Sequence, residues 1–151
     1  MNESNPPAGL GHRLAAMFYD SLLIFAIGCA VSASAIGIRV ALHGEEEIRR
    51  HIGAAAGGPV LQLALVLAWA GFYCWFWTRN GQTLGMQAWR LRVETLDGRL
   101  VDYRTALLRL AGAFVSFASL GLGYWWLLFD AEHRAWHDRW SATLVVRLPA
   151  K

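Results

Sequence analysis

An aspartate lies inside the first long apolar stretch of this chain. Between Leu14 and Leu42 the only formally charged residues are Asp20 and Arg39, and eighteen uncharged residues follow Asp20. A carboxylate at that depth in a membrane-spanning helix costs roughly 3 kcal/mol unless a partner neutralises it, so it indicates a functional site by default. The chain must therefore adopt a fold that buries Asp20 against polar groups.

Two further apolar blocks predict an α-helical membrane protein. The blocks cover residues 14–42, 60–78 and 106–129, and 56% of the 151 residues are hydrophobic. Each block approaches or exceeds the roughly 20 residues that a helix needs to cross a hydrocarbon core about 30 Å thick. The first two blocks predict long transmembrane helices in contact with the lipid bilayer. The length of the chain predicts a single membrane domain over residues 1–151.

The third block, residues 106–129, allows two topologies. If it spans the membrane, the 14 Lys and Arg residues divide seven against seven between the two sides. If it re-enters, the division is eleven against three, and the positive-inside tendency favours that arrangement with both termini in the cytoplasm. Gly121 and Gly123 indicate a break near the middle of the block, which is tolerated where backbone packs against protein. A plain third span, with the glycines as packing contacts, is the alternative.

Two short segments predict a small cytoplasmic sheet. Residues 90–101 alternate apolar and charged side chains around Asp97-Gly98, a strong indication of a β-hairpin. Residues 142–148 form a second strand-like run, and we expect it to pair with Leu91–Val93, because an isolated hairpin is only marginally stable in water.

Arg13 precedes Asp20 by seven residues, or about two helical turns. The two side chains then share a helix face but lie about 10 Å apart along the axis, so each needs another partner. We expect Arg13 to contact a different carboxylate. Asp20 is expected to face protein, whereas Phe18 and Leu22 face lipid.

Sequence motifs give little support for an enzyme, and we expect no catalytic residues and no cofactor. His133 and His137 are four residues apart, but the segment lacks a His-Glu-x-x-His signature, so no metal site is predicted. Gly81 to Gly85 lacks the Gly-Lys-Ser/Thr ending of a phosphate-binding loop. No basic run indicates nucleic-acid binding.

The chain resembles the RDD family of bacterial multi-pass membrane proteins. The similarity rests on Arg13 with Asp20, on Gly81-Gln-Thr-Leu-Gly85, on Leu91-Arg-Val93 with Asp97-Gly98, and on His137-Asp138, in this order along nearly the whole chain. The family is named for an arginine and two aspartates. The resemblance implies a site of Arg13, Asp20 and Asp138, in the bacterial inner membrane, with transport suggested as the activity.

From the residues and the resemblance together we expect Arg13 to pair with Asp138. Asp20 is expected within reach of Gln82, Thr83 or His137. The first functional hypothesis is a small transporter or ion-handling protein that uses this buried site with a proton or cation as substrate. Because two or three membrane segments are few for a pathway, it predicts a homo-oligomer or a membrane partner protein. The alternative is a structural or assembly module of a membrane complex, held by a buried Arg–Asp ion-pair network.

Overall fold

The computed structural model describes residues 5–46 and 58–149. Two long helices, α1 (Leu10–His43) and α2 (Pro59–Arg79), begin and end within a few residues of the predicted bounds. By length and composition both could cross a membrane. The chain divides into two compact units: one holds the residues up to Ser21 and from Phe72 onward, and the other runs from Leu22 to Gly71.

In the unit from Leu22 to Gly71, the described parts of α1 and α2 are mostly apolar, with Arg39 as the one Lys, Arg, Asp or Glu residue of these two helix segments. Gly28 of α1 lies beside Leu65 of α2, because a Cβ atom added at Gly28 would be 3.8 Å from the Leu65 side chain. A small residue at that point allows close approach of two helix backbones.

The other unit contains a sheet of two antiparallel strands, β1 (Leu91–Thr95) and β2 (Thr143–Arg147). Leu91 is opposite Arg147 and Val93 is opposite Val145, so the predicted pairing of these two segments is confirmed. The N-terminal segment lies along the other edge of β2, where Pro7 bridges Val146.

The predicted hairpin over residues 90–101 was wrong in its second half. The backbone of Thr95 pairs with that of Arg99, but residues 99–101 form no strand. The physical reason is the helix that follows directly: the Asp102 side chain accepts a hydrogen bond from the Thr105 N–H and caps its first turn. The strand that pairs with β1 therefore comes from 143–147 and not from the local turn.

The third apolar block is broken near its middle. Helix α4 (Tyr103–Ala118) is followed by a short helix α5 (Leu122–Trp125) and a 3₁₀ turn (Trp126–Leu128). The axis turns by 105° across the break, which contains Gly121 with a φ of 79°. The predicted break at Gly121–Gly123 is confirmed, and counting the bent pair as one span would bring the membrane-crossing segments to three.

Two short helices complete this unit. Helix α3 (Leu84–Ala88) joins α2 to β1, and α6 (Trp136–Trp140) precedes β2. Gly81 makes the first connection possible: its φ is 69°, and a Cβ there would lie 2.8 Å from the Val93 carbonyl oxygen. The core of the unit includes buried side chains of the N-terminal segment, the helices and the strands: Ala8, Ala16, Trp77, Met86, Leu91, Val93 and Val145.

Candidate functional site

Asp138 is fully buried and is bound by two arginines. Arg13 Nη1 donates to its Oδ2, and Arg109 Nη1 donates to its Oδ1 at 2.5 Å. The N–H of Ala135 also donates to Oδ2, at 3.0 Å. The two guanidinium groups are themselves at most 6% exposed. These three side chains, which we call the Arg–Asp–Arg cluster, carry a net charge of +1.

Arg13 stands in the first turns of α1 and ties three segments together. Its Nε donates to the Ala8 carbonyl and its Nη2 to the His133 carbonyl, each at 3.0 Å. The predicted pairing of Arg13 with Asp138 is therefore confirmed. Its physical basis also holds, since the seven-residue spacing within α1 turns Arg13 to a partner outside its own helix.

Arg109 was not predicted as a site residue, although it binds Asp138 from α4. Its Nη1 also donates to the Thr143 hydroxyl at 2.6 Å, which links α4 to the first residue of β2. Its guanidinium lies 5.2 Å from the centroid of the Trp77 ring, a distance typical of a cation–π contact. The sequence signal that could have identified Arg109 is its position at the border of an apolar block, because a lone charge there needs a partner.

His137 is buried between the cluster and an aromatic ring. Its Nε2 is 3.5 Å from Asp138 Oδ1, and its ring centroid is 4.8 Å from that of Tyr124. The pKa of His137 is lowered to about 3, chiefly by burial; Asp138 opposes this shift, and Arg109 and Arg13 add to it. The ring is therefore neutral at neutral pH.

The pKa of Asp138 is shifted by opposing effects. Burial alone would raise it, but Arg109 and then Arg13 more than offset burial and hold the pKa of Asp138 well below its usual range. Asp138 therefore stays ionised at any physiological pH, and its place inside the cluster makes it a poor site for proton exchange.

Asp20 is buried in a different environment. It is 2% exposed, Thr83 Oγ1 donates to its Oδ2 at 2.5 Å, and the Gly85 N–H donates to its Oδ1 at 2.8 Å. Among the residues that the structure describes, no Lys or Arg nitrogen lies within 4.0 Å of this carboxylate. Both of its hydrogen-bond donors are neutral.

The segment Gly81-Gln-Thr-Leu-Gly85 is built to receive Asp20. Thr83 caps α3 by accepting the Met86 N–H, while its own hydroxyl donates to Asp20. A Cβ atom at Gly85 would be 2.8 Å from the Asp20 carboxyl group and would overlap the Ala16 carbonyl oxygen. Only glycine allows the backbone of α3 to approach α1 this closely.

The three neighbours predicted for Asp20 have different partners. Thr83 bonds to Asp20 as predicted. Gln82 instead donates to the Leu91 carbonyl at 2.6 Å, where it supports the start of β1. His137 lies against Asp138. The predicted set of Arg13, Asp20 and Asp138 therefore comprises two carboxylates with distinct partners.

The predicted buried face of α1 is confirmed, and contact of the opposite face with lipid stays a prediction. Arg13, Ala16 and Asp20 are buried, whereas Phe18 is 63% exposed and Leu22 56%.

The histidines of the segment after the third block do not share a helix face. His133 has a φ of 50° and precedes α6, which begins at Trp136. Among residues 5–46 and 58–149, no three His, Cys, Asp or Glu side chains are grouped so that they could hold a metal ion.

Comparison with known proteins gives two matches. The model of the RDD family matches residues 7–142, nearly the whole chain. An uncharacterized protein of Rickettsia prowazekii (strain Madrid E) is 27% identical over 82 residues, which are 54% of this chain and 46% of that protein. The aligned part thus spans about half the length of that relative. No solved structure matches the chain.

Proposed function

The chain belongs to the RDD family, and from that premise we propose that it is a proton- or cation-handling protein of the bacterial inner membrane in which Asp20 binds the ion. The family match and the two long apolar helices fit a membrane protein. The proposal that Asp20 handles an ion is not based on the family match or the helices. It rests on the surroundings of this one carboxylate.

The observation that carries the proposal is a buried carboxylate with two neutral donors and no cation within 4.0 Å among the described residues. Burying an unpaired charge is costly, whereas binding a proton or a cation removes the charge and the cost. Asp138 already has two permanent cations. Asp20 is thus the carboxylate whose charge state is free to change.

The Asp20–Thr83 pair is able to hold a proton without moving heavy atoms. When Asp20 is ionised, the Thr83 hydroxyl donates to Oδ2 and accepts the Met86 N–H. When Oδ2 carries a proton, the same hydrogen bond reverses, because a hydroxyl both donates and accepts. The Gly85 N–H continues to donate to Oδ1 in either state.

Arg13 makes no hydrogen bond to Asp20. All of its side-chain hydrogen bonds go to Ala8, Asp138 and His133. In this proposal Arg13 fixes the N-terminal end of α1 and acts on Asp20 through position and not through contact. The pathway for the ion is completed by a second copy of the chain or by a membrane partner, because two or three membrane segments are few for one.

The alternative function, a structural or assembly module, is favoured by the Arg–Asp–Arg cluster. That cluster joins the N-terminal segment, α4, α6 and β2, and a buried ion-pair network of this kind can fix an arrangement of elements. If Asp20 served the same purpose, its charge would matter for folding and not for ion movement.

Asp20→Asn separates the two functions. The amide keeps the volume of the side chain: its Oδ1 accepts from Gly85 and its NH₂ donates to Thr83, whose hydroxyl turns to accept. We expect folded protein at the wild-type level and no proton or Na⁺ flux in proteoliposomes, with Asp97→Asn, at an exposed position, as the control with unchanged flux. Folded Asp20→Asn with wild-type flux would refute ion handling by Asp20. Loss of the folded protein would favour the structural module.

A further inference from the structure

The third apolar block exposes a large uncharged surface at its bend. From Leu110 to Phe129 the sequence contains no charged residue. The side chains around the bend are apolar and largely exposed, with Leu120 at 91% and Phe129 at 84%. We call this exposed group the bend surface; it consists of Phe117, Leu120, Leu122, Trp125 and Phe129. An exposed apolar surface of this kind marks a site of contact with protein or membrane.

Both limbs of the bend return to the Arg–Asp–Arg cluster. On the way out, Arg109 binds Asp138. On the way back, the Tyr124 ring contacts His137, the residue next to Asp138. All of these residues belong to one compact unit. Asp130, directly after the block, pairs with Arg139 of α6, the helix that also contains Asp138, so both ends of the block lie beside α6.

Two glycines show how closely the limbs pack, one against α6 and the other against the opposite limb. A Cβ at Gly112 of α4 would be 3.0 Å from His137 in α6. A Cβ at Gly123 of α5 would overlap Ser116, so the second limb lies directly on the first. Close contact between small residues of this kind is how apolar helices pack without a hydrophobic driving force.

The distance from the cluster to the bend is too short to cross a bilayer. Leu120 is the eleventh residue after Arg109, and at about 1.5 Å per residue the helix advances roughly 17 Å between them. The hydrocarbon core is about 30 Å thick. The block thus reaches little more than halfway, even if α4 runs along the membrane normal.

We infer that the third apolar block, residues 106–129, enters and leaves the membrane on the same side, and that the bend surface contacts the acyl chains of lipids there. The inference rests on the membrane location in the proposed function, but not on ion handling by Asp20. Acyl chains are the occupant because every side chain of the bend surface is uncharged and apolar, and the uncharged stretch that contains it is bordered by Arg109 and Asp130. The backbone at the break is tolerated at this depth because it packs on protein.

Site-directed labelling tests the topology. In a variant with Cys29 and Cys74 replaced by alanine, single cysteines are introduced at two exposed positions that flank the block, as Arg104→Cys and Ala131→Cys. A membrane-impermeant maleimide is applied to intact cells and to inside-out vesicles. We expect both positions to react in the same preparation, with Glu46→Cys, beyond the far end of α1, reacting in the other. Reaction of Arg104→Cys and Ala131→Cys in opposite preparations would overturn the inference.

A spin label at Leu120→Cys tests the occupant. In proteoliposomes we expect frequent collisions with oxygen, which dissolves in lipid, and loss of collisions with a water-soluble nickel chelate; Asp97→Cys is the aqueous control. Frequent nickel collisions would place the bend in water and overturn the inference. Protection from both reagents would mean that protein, such as a second copy, covers the bend, and would equally overturn contact with lipid. Neither experiment measures flux, so failure of ion handling leaves these results interpretable.

Discussion

The two buried aspartates of this protein differ in what neutralises them. Asp138 is bound by Arg13, Arg109 and a backbone N–H, and the charge of the carboxylate is more than balanced. Asp20 is bound by a hydroxyl and a backbone N–H, with no basic nitrogen within 4.0 Å among the described residues. The same residue type is therefore held permanently ionised at one place and left able to change charge at the other. Stability should depend on the charge of Asp138, and activity on the charge of Asp20.

Asp138→Asn should have the largest effect on stability. It leaves two buried guanidinium groups without a counter-ion, which costs about 3–5 kcal/mol. Thermal unfolding of purified protein in detergent, followed by tryptophan fluorescence, measures the loss. Asp97→Asn, which removes an exposed ion pair with Arg99, is the control and should leave the midpoint unchanged. Equal destabilisation by Asp20→Asn and Asp138→Asn would contradict the proposed difference between the two aspartates.

Gly85→Ala should have the next largest effect on stability. Overpacking typically lowers the free energy of unfolding by 1–3 kcal/mol, and we expect a loss of about 3 kcal/mol here. The added methyl group would meet the backbone of α1 at Ala16 and would push α3 away from Asp20. Gly71→Ala is a matched control, because a Cβ there meets nothing within 4 Å. In a helix interior that change should stabilise by about 0.5–1 kcal/mol. Equal stabilisation by both substitutions would contradict the tight approach of α3 to α1.

Lowering the pH from 7 to 5 should destabilise the protein through His137. Its pKa is about 3 in the folded state and about 6.5 in the unfolded chain. Below pH 6.5 the unfolded state therefore binds a proton that the folded state does not, and stability falls as the pH falls. Over the 1.5 units from pH 6.5 to 5 the loss is about 2 kcal/mol.

The matched variant for this pH dependence is His137→Gln, which should show a flatter profile than the wild type. Asp138, Arg109, Arg13 and Tyr124 face this ring. The lowered pKa of Asp138 contributes stability that is present above pH 4 and is lost only as the pH falls through its folded value, so it adds no slope above pH 5. An unchanged slope in the variant would assign the pH dependence to another group.

Thr83→Ala should have the smallest effect on stability, about 1 kcal/mol for the loss of a helix cap. It also removes the hydroxyl that donates to Asp20, so ion flux should fall by more than the small loss of folded protein would explain. Thr83→Ser keeps both hydrogen bonds and should behave like the wild type in unfolding and in proteoliposome flux. If flux follows stability in all three proteins, Thr83 acts only as a cap.

The sequence predicted those parts of the fold and site that depend on helix geometry. The two-turn spacing of Arg13 and Asp20 required separate partners, and Arg13 indeed binds Asp138 while Asp20 binds Thr83. The bounds of α1 and α2 follow from block length and from Pro59 at a favourable first-turn position.

The parts that were missed depend on how distant segments meet. Arg109 joins the cluster only because the third block folds back, and the sequence left that topology open. The turn at Asp97-Gly98 has the local pattern of a hairpin, but the helix cap at Asp102 leaves no room for a second strand. Gln82 was expected near Asp20, yet the turn after Gly81 directs it to the backbone of β1.

The pairing of Arg13 with Asp138 has a consequence for biosynthesis. The two residues are 125 positions apart, and at about 5–20 residues per second a ribosome needs roughly 6–25 s to make the intervening chain. The interval is longer still between Ala8 and Val145, its backbone partner in β2. During this interval α1 is already available for membrane insertion with its arginine uncompensated. The nascent protein therefore passes through a stage in which its least membrane-compatible charges depend on water, lipid head groups or an insertion factor, and it reaches its final state only after translation of β2.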